Sequence, residues 1–289
     1  MHDAAPLPQR LDTPVVVVTG AARGIGQAIA TRLHRDGYRL VLADVDVARL
    51  HATRDALSPA HAAVRADVTE AADLDALAET AVQQFGRLDV WINNAGLIPS
   101  GLLTEQNGTD LSRAWHTNLG GTVHGCRAAL HHMLPARRGQ VINIASLCAV
   151  KPLAGLALYS ATKAAVVTLS EGLRREIRGS GVHITCLLPY MVTTDASHTL
   201  RPRLVPALRP DDVARAVTGA IRRPRPRIYT PPLLGWALTA ASRLPHGVRD
   251  AVDDVIRMDE LALRPDQTGR RRFRRCRTAP KQHGGGPGN

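Results

Sequence analysis

The chain has 289 residues, of which 44% are hydrophobic and 21% charged, so it holds enough apolar material for one large or two small globular domains. Aromatic residues make up only 3%, which argues against large stacking platforms for nucleic-acid bases. Its four cysteines are widely spaced without a CxxC pair, which argues against a disulfide framework or zinc site and indicates a reducing compartment. The start lacks a charged head followed by an apolar run, so we expect no secretory signal and a cytoplasmic protein.

The net charge of +12 is concentrated at one end of the chain. Residues 264–289 contain seven Arg and one Lys against one Asp, so the preceding chain is only mildly basic. This tail is predicted to be disordered. Polybasic runs bind nucleic acid or anionic lipid in some proteins. No nucleic-acid-binding module accompanies this one, so we interpret it as a solvated appendage and expect no nucleic-acid partner.

A short lead, residues 1–13, precedes the first predicted element, a buried parallel strand at the β-branched run Val15 to Val18. A glycine-rich loop at residues 19–26 follows, and then helical periodicity up to Leu33. A strand, glycine loop and helix in this order place backbone N–H groups and a helix N-terminus against a phosphate. The loop therefore predicts a site for the pyrophosphate of a dinucleotide.

The second predicted strand, residues 39–43, ends at Asp44, which lies 24 residues after Gly20. This is close to the spacing of a carboxylate that accepts hydrogen bonds from an adenosine ribose. A carboxylate here repels a 2′-phosphate and favours NAD, whereas Arg23 in the glycine loop favours NADP. We give Asp44 more weight because the next residue, Val45, offers no compensating positive charge. NAD is the predicted cofactor, with NADP less favoured.

Strands and helices alternate through the rest of the first 230 residues, which predicts an α/β fold with a doubly wound parallel sheet. Further strands are predicted at residues 64–69, 88–92, 141–146 and 182–188, and helices at 70–85, 110–133 and 157–178. Asp67 and Thr69 are both candidate caps of the helix at residues 70–85. The alternative role for Asp67 is a contact with the edge of the adenine. Ligands of such sheets bind outside the carboxyl ends of the strands. The glycine loop, Asp44, Asn94, Ser146 and Pro189 all fall at those ends.

Tyr159 and Lys163 stand four residues apart on a predicted helix, thirteen residues after Ser146. Helical residues four apart lie on one face, so the pair would place an ammonium beside a phenol. A nearby positive charge stabilises phenolate, so we expect it to lower the pKa of Tyr159. Such a tyrosine acts as a proton donor and acceptor near neutral pH.

Together these residues resemble the short-chain dehydrogenase/reductase family over residues 14–222. The resemblance rests on the TGxxxGxG loop at residues 19–26, NNAG at 93–96, Asn118, Ser146 and the Tyr159/Lys163 pair. It implies a three-layer α/β/α Rossmann fold and a nicotinamide-dependent oxidoreductase acting on a secondary alcohol or ketone, without a metal. The family also leads us to expect a homodimer or homotetramer.

The resemblance implies a role for each catalytic candidate. Tyr159 would be the general acid/base, and Lys163 would lower its pKa and bind the nicotinamide ribose. Ser146 would hold the substrate oxygen, and Asn118 would anchor a water-linked proton relay to Lys163. The residues expected to contact the cofactor are Gly20, Arg23, Gly24, Ile25, Gly26, Asp44, Asp67, Val68, Asn94, Ala95, Gly96, Tyr159, Lys163, Pro189, Val192 and Thr194. Among these, Asn94 would shape the cleft and Thr194 would bind the nicotinamide amide.

The chain departs from the family pattern at Tyr190, which stands where a glycine usually follows the proline after strand six. We expect this side chain to narrow the substrate pocket, stack on the nicotinamide ring or turn outward. Residues 195–210 should cover the substrate, and their leucines, with Leu97, Ile98, Leu147 and Leu153, indicate either an apolar substrate or core packing.

A helix is predicted at residues 211–221 and a last strand near 225–232. The predicted catalytic domain, residues 14–230, is followed by an extension at residues 231–263. No charge occurs from Ile228 to Ser242. This segment is expected to pack beside the pocket or form a subunit contact, and a peripheral membrane contact through residues 231–244 is the alternative. The rival function for the whole chain is a nucleotide-binding sensor or scaffold of the same fold, tethered to a membrane or polyanion through this extension. The intact set of four catalytic candidates argues against it.

Overall fold

The structure, a computed structural model, describes residues 13–194 and 206–256. Seven parallel strands form one sheet in the order β3-β2-β1-β4-β5-β6-β7. The strands are β1 (Val15–Thr19), β2 (Arg39–Asp44), β3 (Ala62–Arg65), β4 (Val90–Asn93), β5 (Gly139–Ile144), β6 (Val182–Pro189) and β7 (Arg227–Thr230). The strand order reverses between β1 and β4, which creates a crevice at the carboxyl ends of these strands. The predicted doubly wound, Rossmann-type fold is thereby confirmed.

Helices cover both faces of this sheet. They are α1 (Gly24–Arg35), α2 (Val47–Leu57), α3 (Ala71–Phe85), α4 (Gly108–Trp115), α5 (Gly121–Ala136), α6 (Ala157–Glu176), α7 (Pro210–Arg222), α8 (Pro232–Ala241) and α9 (His246–Ile256). In β1, Val15 and Val17 pack on one side with α3 and α5, while Val16 and Val18 pack on the other with α1 and α7. All four valines are fully buried, which explains the uninterrupted apolar run of this strand.

Two predicted elements differ from the observed ones. The third strand ends at Arg65 rather than Thr69, and Glu70 is the N-cap residue of α3. Asp67 is therefore not a helix cap. Its carboxylate instead accepts hydrogen bonds from the backbone N–H and hydroxyl of Thr69 within the preceding turn, at 2.9 and 2.7 Å.

The helix predicted at residues 110–133 is interrupted by a π-helical turn, His116–Gly120, between α4 and α5. Asn118 lies in this turn and is fully buried. A π-helical turn inserts one residue into the helical repeat, and such insertions occur frequently at functional sites.

The C-terminal part of the described chain extends the core at the β7 edge. Leu234 and Leu238 of α8 pack against a buried hydrophobic cluster to which β6, β7 and α6 contribute. Within residues 13–194 and 206–256, no helix has the length and apolar character needed to cross a bilayer. Most of the predicted substrate-covering segment and all of the basic tail lie outside the described residues.

Candidate active site

The loop between β1 and α1 is shaped by its glycines, as predicted. Gly20 and Gly24 have positive φ angles of 66° and 58°, which other residues rarely adopt. A Cβ on Gly26 would overlap the Gly20 carbonyl oxygen, so the chain can make this turn only with glycine there. Arg23 precedes the first turn of α1, and no side-chain hydrogen bond caps that turn. Backbone N–H groups of a helix N-terminus are therefore directed at the crevice, an arrangement that suits a phosphate.

Asp44 and Asp67 lie on the side of the crevice where an adenosine is expected. One Asp44 carboxylate oxygen accepts from the Ala22 N–H at 3.1 Å, and the other accepts from the Asp46 N–H at 3.0 Å. Each oxygen retains a further acceptor site for a ribose hydroxyl. Hydrogen bonding from Thr69 lowers the pKa of Asp67, which favours its ionised form. Val68 lines the same end.

Asn94 fastens the glycine loop to the end of β4. Its Nδ2 donates to the carbonyl oxygens of Thr19 and Gly20, at 2.9 and 3.2 Å. Thr19 completes the link, because its Oγ1 accepts from the N–H groups of Asn94 and Ala95 at 3.0 and 3.2 Å. Asn94 thus shapes the cleft through protein contacts, and Thr19 is a residue that sequence reasoning did not single out.

The Asn118 side chain is held by three hydrogen bonds. Its Oδ1 accepts from the Leu97 N–H at 2.8 Å, and its Nδ2 donates to the Leu97 carbonyl at 2.9 Å and to Thr162 Oγ1 at 3.1 Å. A Cβ on Gly96 would approach Asn118 Oδ1 to 3.2 Å and Lys163 Nζ to 3.6 Å. The absence of a side chain at Gly96 therefore lets these two polar groups approach the crevice wall.

Lys163 projects from α6 to the end of β5. Its Nζ donates to the Ile144 carbonyl oxygen at 2.8 Å, and only 5% of the residue is exposed. Burial lowers the pKa of Lys163 to about 8, because removal from water disfavours the ammonium. The amine therefore titrates closer to neutral pH than an exposed lysine does.

Tyr159 and Ser146 meet at the same strand end. Ser146 follows β5, where its Oγ accepts from the Cys148 N–H at 3.2 Å, and its side chain is hydrogen-bonded to Tyr159. Burial raises the pKa of Tyr159, the Cys148 thiol adds to the rise, and the Ser146 hydrogen bond opposes it. Lys163 Nζ lies 5.8 Å from the Tyr159 ring centroid.

The expectation that Lys163 lowers the pKa of Tyr159 is therefore wrong for this arrangement. The ammonium is bound to the Ile144 carbonyl, and desolvation of the phenol outweighs the other influences. A buried phenol of this kind stays protonated at neutral pH.

Tyr190 lies at the carboxyl end of β6 and lines the crevice, so the side chain does not turn fully outward. Its N–H donates to the Thr230 carbonyl at 2.7 Å, and its ring packs partly on the cluster that contains Leu147 and Tyr229. Burial raises the pKa of the Tyr190 phenol, and the Cys148 thiol adds to this rise. Tyr190 and Cys148 thus border the place where Ser146 and Tyr159 meet.

Most of these groups line one cavity of about 740 Å³, whereas Thr19 and the buried Asn118 lie behind its lining. Every residue predicted to bind cofactor, except Gly26, lines it, as do the catalytic candidates Ser146, Tyr159 and Lys163. Thr194 Cγ2 would lie 3.5 Å from a Cβ on Gly24, so Thr194 faces the glycine loop. Ile98, Leu153 and Leu156 pack with Cys148 and Tyr159. The apolar lining of the cavity consists of these three residues together with Leu97, Leu147 and Met191. The cavity thus combines a polar part, bordered by the glycine loop, with an apolar part beside Tyr159.

Comparison with known proteins agrees with this geometry. The short chain dehydrogenase family profile matches residues 14–204. An uncharacterized oxidoreductase of Staphylococcus aureus (strain MRSA252) is 38% identical over 216 residues, which are 74% of this chain and 94% of that protein.

Two solved structures have the same fold over most of their length. A short chain dehydrogenase/reductase from Burkholderia phymatum in complex with NAD is 32% identical, with a TM-score of 0.72, and the match covers 84% of this chain and 96% of that one. The closed form of a serine dehydrogenase complexed with NADP+ is 28% identical, with a TM-score of 0.70, over 74% of this chain and 93% of that one. The chain belongs to the short-chain dehydrogenase/reductase family, whose members are NAD(P)-dependent oxidoreductases.

Proposed function

We propose that the protein is an NAD-dependent oxidoreductase that interconverts a lipophilic secondary alcohol and its ketone, with Tyr159 as the general acid/base. The observation that carries this proposal is the meeting of Ser146, Tyr159 and Lys163 at the end of β5, inside a cavity that also contains the glycine loop. The apolar lining near Ser146 supports a lipophilic substrate.

The cavity residues fit a dinucleotide. The glycine loop and the α1 N-terminus suit a pyrophosphate, and Asp44 has acceptor capacity for the adenosine ribose. Thr194, across from Gly24, would bind the carboxamide, and Lys163 would bind the nearer ribose. Nicotinamide, when bound, supplies or accepts the hydride.

The protein residues then handle the proton and the position of the substrate. Ser146 would hold the substrate oxygen beside the Tyr159 hydroxyl, to which its own side chain is hydrogen-bonded. In reduction, Tyr159 donates its proton to the oxygen as the carbonyl carbon gains a hydride. In oxidation, it removes the hydroxyl proton as that carbon loses one. The raised pKa of Tyr159 keeps the phenol protonated at neutral pH, which is the form that reduction requires.

Replacement of Tyr159 by Phe tests this role. Turnover of a panel of lipophilic alcohols and ketones, followed by NADH absorbance in both directions, should fall by about 10²-fold or more, because only the proton-transferring hydroxyl is lost. The affinity for NAD should stay within about twofold of the wild type.

Tyr38→Phe is the matched control, because Tyr38 packs on the α1 and α7 side, away from the cavity. It should leave turnover unchanged. Turnover that survives in Tyr159→Phe would contradict the assigned role. A wild type that binds NAD but turns over no compound would instead favour the nucleotide-binding sensor or scaffold.

A further inference from the structure

The outer side of α8 is an exposed surface without a polar side chain. Leu233 is 85% exposed and Trp236 is 65% exposed, and Ala237 and Ala240 are also exposed. We call these four residues the α8 apolar face. Soluble surfaces carry isolated apolar residues, but grouped ones of this size mark contact sites.

The inner side of α8 holds the helix firmly on the sheet. A Cβ on Gly235 would overlap the Tyr229 side chain, so the helix approaches β7 as closely as glycine permits. Thr239 Oγ1 donates to the Tyr229 hydroxyl at 3.0 Å. From the apolar face, Trp236 reaches the Tyr229 ring only edge to face, at 5.3 Å between ring centroids, and stays 65% exposed. The α8 apolar face therefore belongs to a helix that is packed firmly on the sheet, so its exposure is not caused by detachment of the helix.

The chain continues with a second exposed apolar pair beyond α8. Leu244, before α9, is 44% exposed, and Val248, in its first turn, is 49% exposed. Arg243, between the two helices, is exposed as well. This combination of Trp, Leu and a neighbouring cation is typical of segments that lie in a membrane interface.

The size and the charge of this region select among occupants. A helix of ten residues is about 15 Å long, so one of its faces presents on the order of 200 Å², whereas a stable interface buries about 800 Å² on each partner. The chain from residue 264 onward does not match the apolar face either, because it contains seven Arg and one Lys. That basic composition is complementary to an anionic lipid surface.

We propose that the α8 apolar face inserts into the interfacial layer of an anionic membrane, while the basic residues of 264–289 attract the protein to its surface. Neither part suffices alone. A small apolar insertion gives only marginal binding, and stable attachment takes a second signal such as a polybasic segment. Each basic residue near an anionic surface contributes favourably, and salt screens the contribution.

Flotation of the full chain with lipid vesicles tests the proposal. Vesicles that contain phosphatidylglycerol should carry the protein, pure phosphatidylcholine vesicles should carry at least several-fold less, and added salt should reduce binding. The double variant Leu233→Ser/Trp236→Ser should bind the anionic vesicles about tenfold or more weakly, because two apolar side chains no longer enter the lipid.

The matched control is Leu103→Ser/Trp115→Ser. It removes the same residue types outside α8, at positions that are 53% and 46% exposed. It should bind vesicles as the wild type does, and NAD binding checks that both variants fold. In a Trp115→Phe background, Trp236 emission should shift to the blue with anionic vesicles, since Trp91 is already buried.

Three outcomes would overturn the proposal. One is equal vesicle binding by the wild type and by Leu233→Ser/Trp236→Ser. Another is an unchanged Trp236 spectrum while the protein floats with the vesicles. The third is a wild-type dimer that the same double variant converts to monomer, which would assign the apolar face to a second copy of the chain.

Discussion

At the residue scale, the Asp44 carboxylate stands between the glycine loop and the loop after β2. Backbone N–H groups of Ala22 and Asp46 fix its two oxygens, so the negative charge cannot turn away from a ligand at this position. Arg23 lines the same end of the cavity and carries the opposite charge. The preference for NAD or NADP depends on whether a 2′-phosphate is repelled more by Asp44 than it is attracted by Arg23. Because hydrogen bonds hold the Asp44 carboxylate in place, we expect its repulsion to dominate.

Asp44→Asn should therefore shift the preference from NAD toward NADP by about tenfold or more, since the amide keeps the shape but removes the repulsion of a 2′-phosphate. Titration of each cofactor against protein fluorescence measures the ratio of the two Kd values. Asp46→Asn is the control, because Asp46 is exposed and does not line the cavity. Tighter binding of NADP than of NAD by the wild type would show that Arg23 prevails.

The catalytic residues could be named from sequence, but their electrostatics could not. Tyr159 and Lys163 are recognisable because the side chains themselves form the pattern. The partner of Lys163 is the backbone carbonyl of Ile144, and a carbonyl has no signature in the residue type. The direction of the Tyr159 pKa shift depends on burial, which only the packed structure reveals.

At the scale of elements, α5 packs on the sheet through Gly125. A Cβ there would overlap Asn93 Oδ1 and lie 2.7 Å from Trp91 Nε1. These two groups form a buried hydrogen bond of 2.7 Å, and Asn93 Nδ2 also donates to Asn143 Oδ1 at 2.8 Å. The approach of α5 to β4 and β5 thus requires a residue without a side chain.

Gly125→Ala should lower the free energy of unfolding by about 3 kcal/mol or more, because it combines overpacking with a broken buried hydrogen bond. Denaturant titration measures the loss. Gly172→Ala in α6 is the control, since a Cβ there meets no atom within 4 Å and alanine favours a helix. Equal stability of the two variants would contradict the described packing of α5.

The strands and most helices follow from the sequence because their apolar periods are strong, but the π-helical turn does not. The run from Gly108 to Ala136 has suitable residues for one continuous helix, and even Pro135 falls inside α5. A single inserted residue shifts the apolar face of the helix by too little to be detected in the hydrophobic pattern of so short a sequence. Asn118 was identified through the family pattern, and its orientation comes from bonds to Leu97 and Thr162.

At the scale of the whole molecule, stability depends on pH through a histidine pair that joins α1 to the start of β3, in which His61 is buried and His34 is partly exposed. His61 Nδ1 accepts from the Leu40 N–H at 3.4 Å, and its Nε2 lies 2.9 Å from His34 Nδ1. Burial, followed by repulsion from His34, lowers the pKa of His61 to about 4. A proton on His61 Nδ1 would oppose the Leu40 N–H.

The unfolded chain binds this proton near pH 6.5, whereas the folded chain resists it until about pH 4. The stabilisation is therefore complete above pH 6.5 and is lost as the pH falls toward 4, by about 2 kcal/mol after allowance for solvent screening. His61→Asn keeps an acceptor for Leu40 and should flatten this dependence in thermal or denaturant unfolding. The exposed His51→Asn should retain the wild-type slope, and a slope shared by both variants would exclude His61 as its source.

The link between Thr19 and Asn94 has a consequence for the rate and the entropy of cofactor binding. Five hydrogen bonds of these residues hold the glycine loop to β4 within the protein itself. A ligand that meets an ordered loop does not have to restrict its backbone, so the conformational entropy lost on binding is small. Cofactor association is then governed by diffusion and by displacement of water from the crevice, rather than by a folding step at the loop.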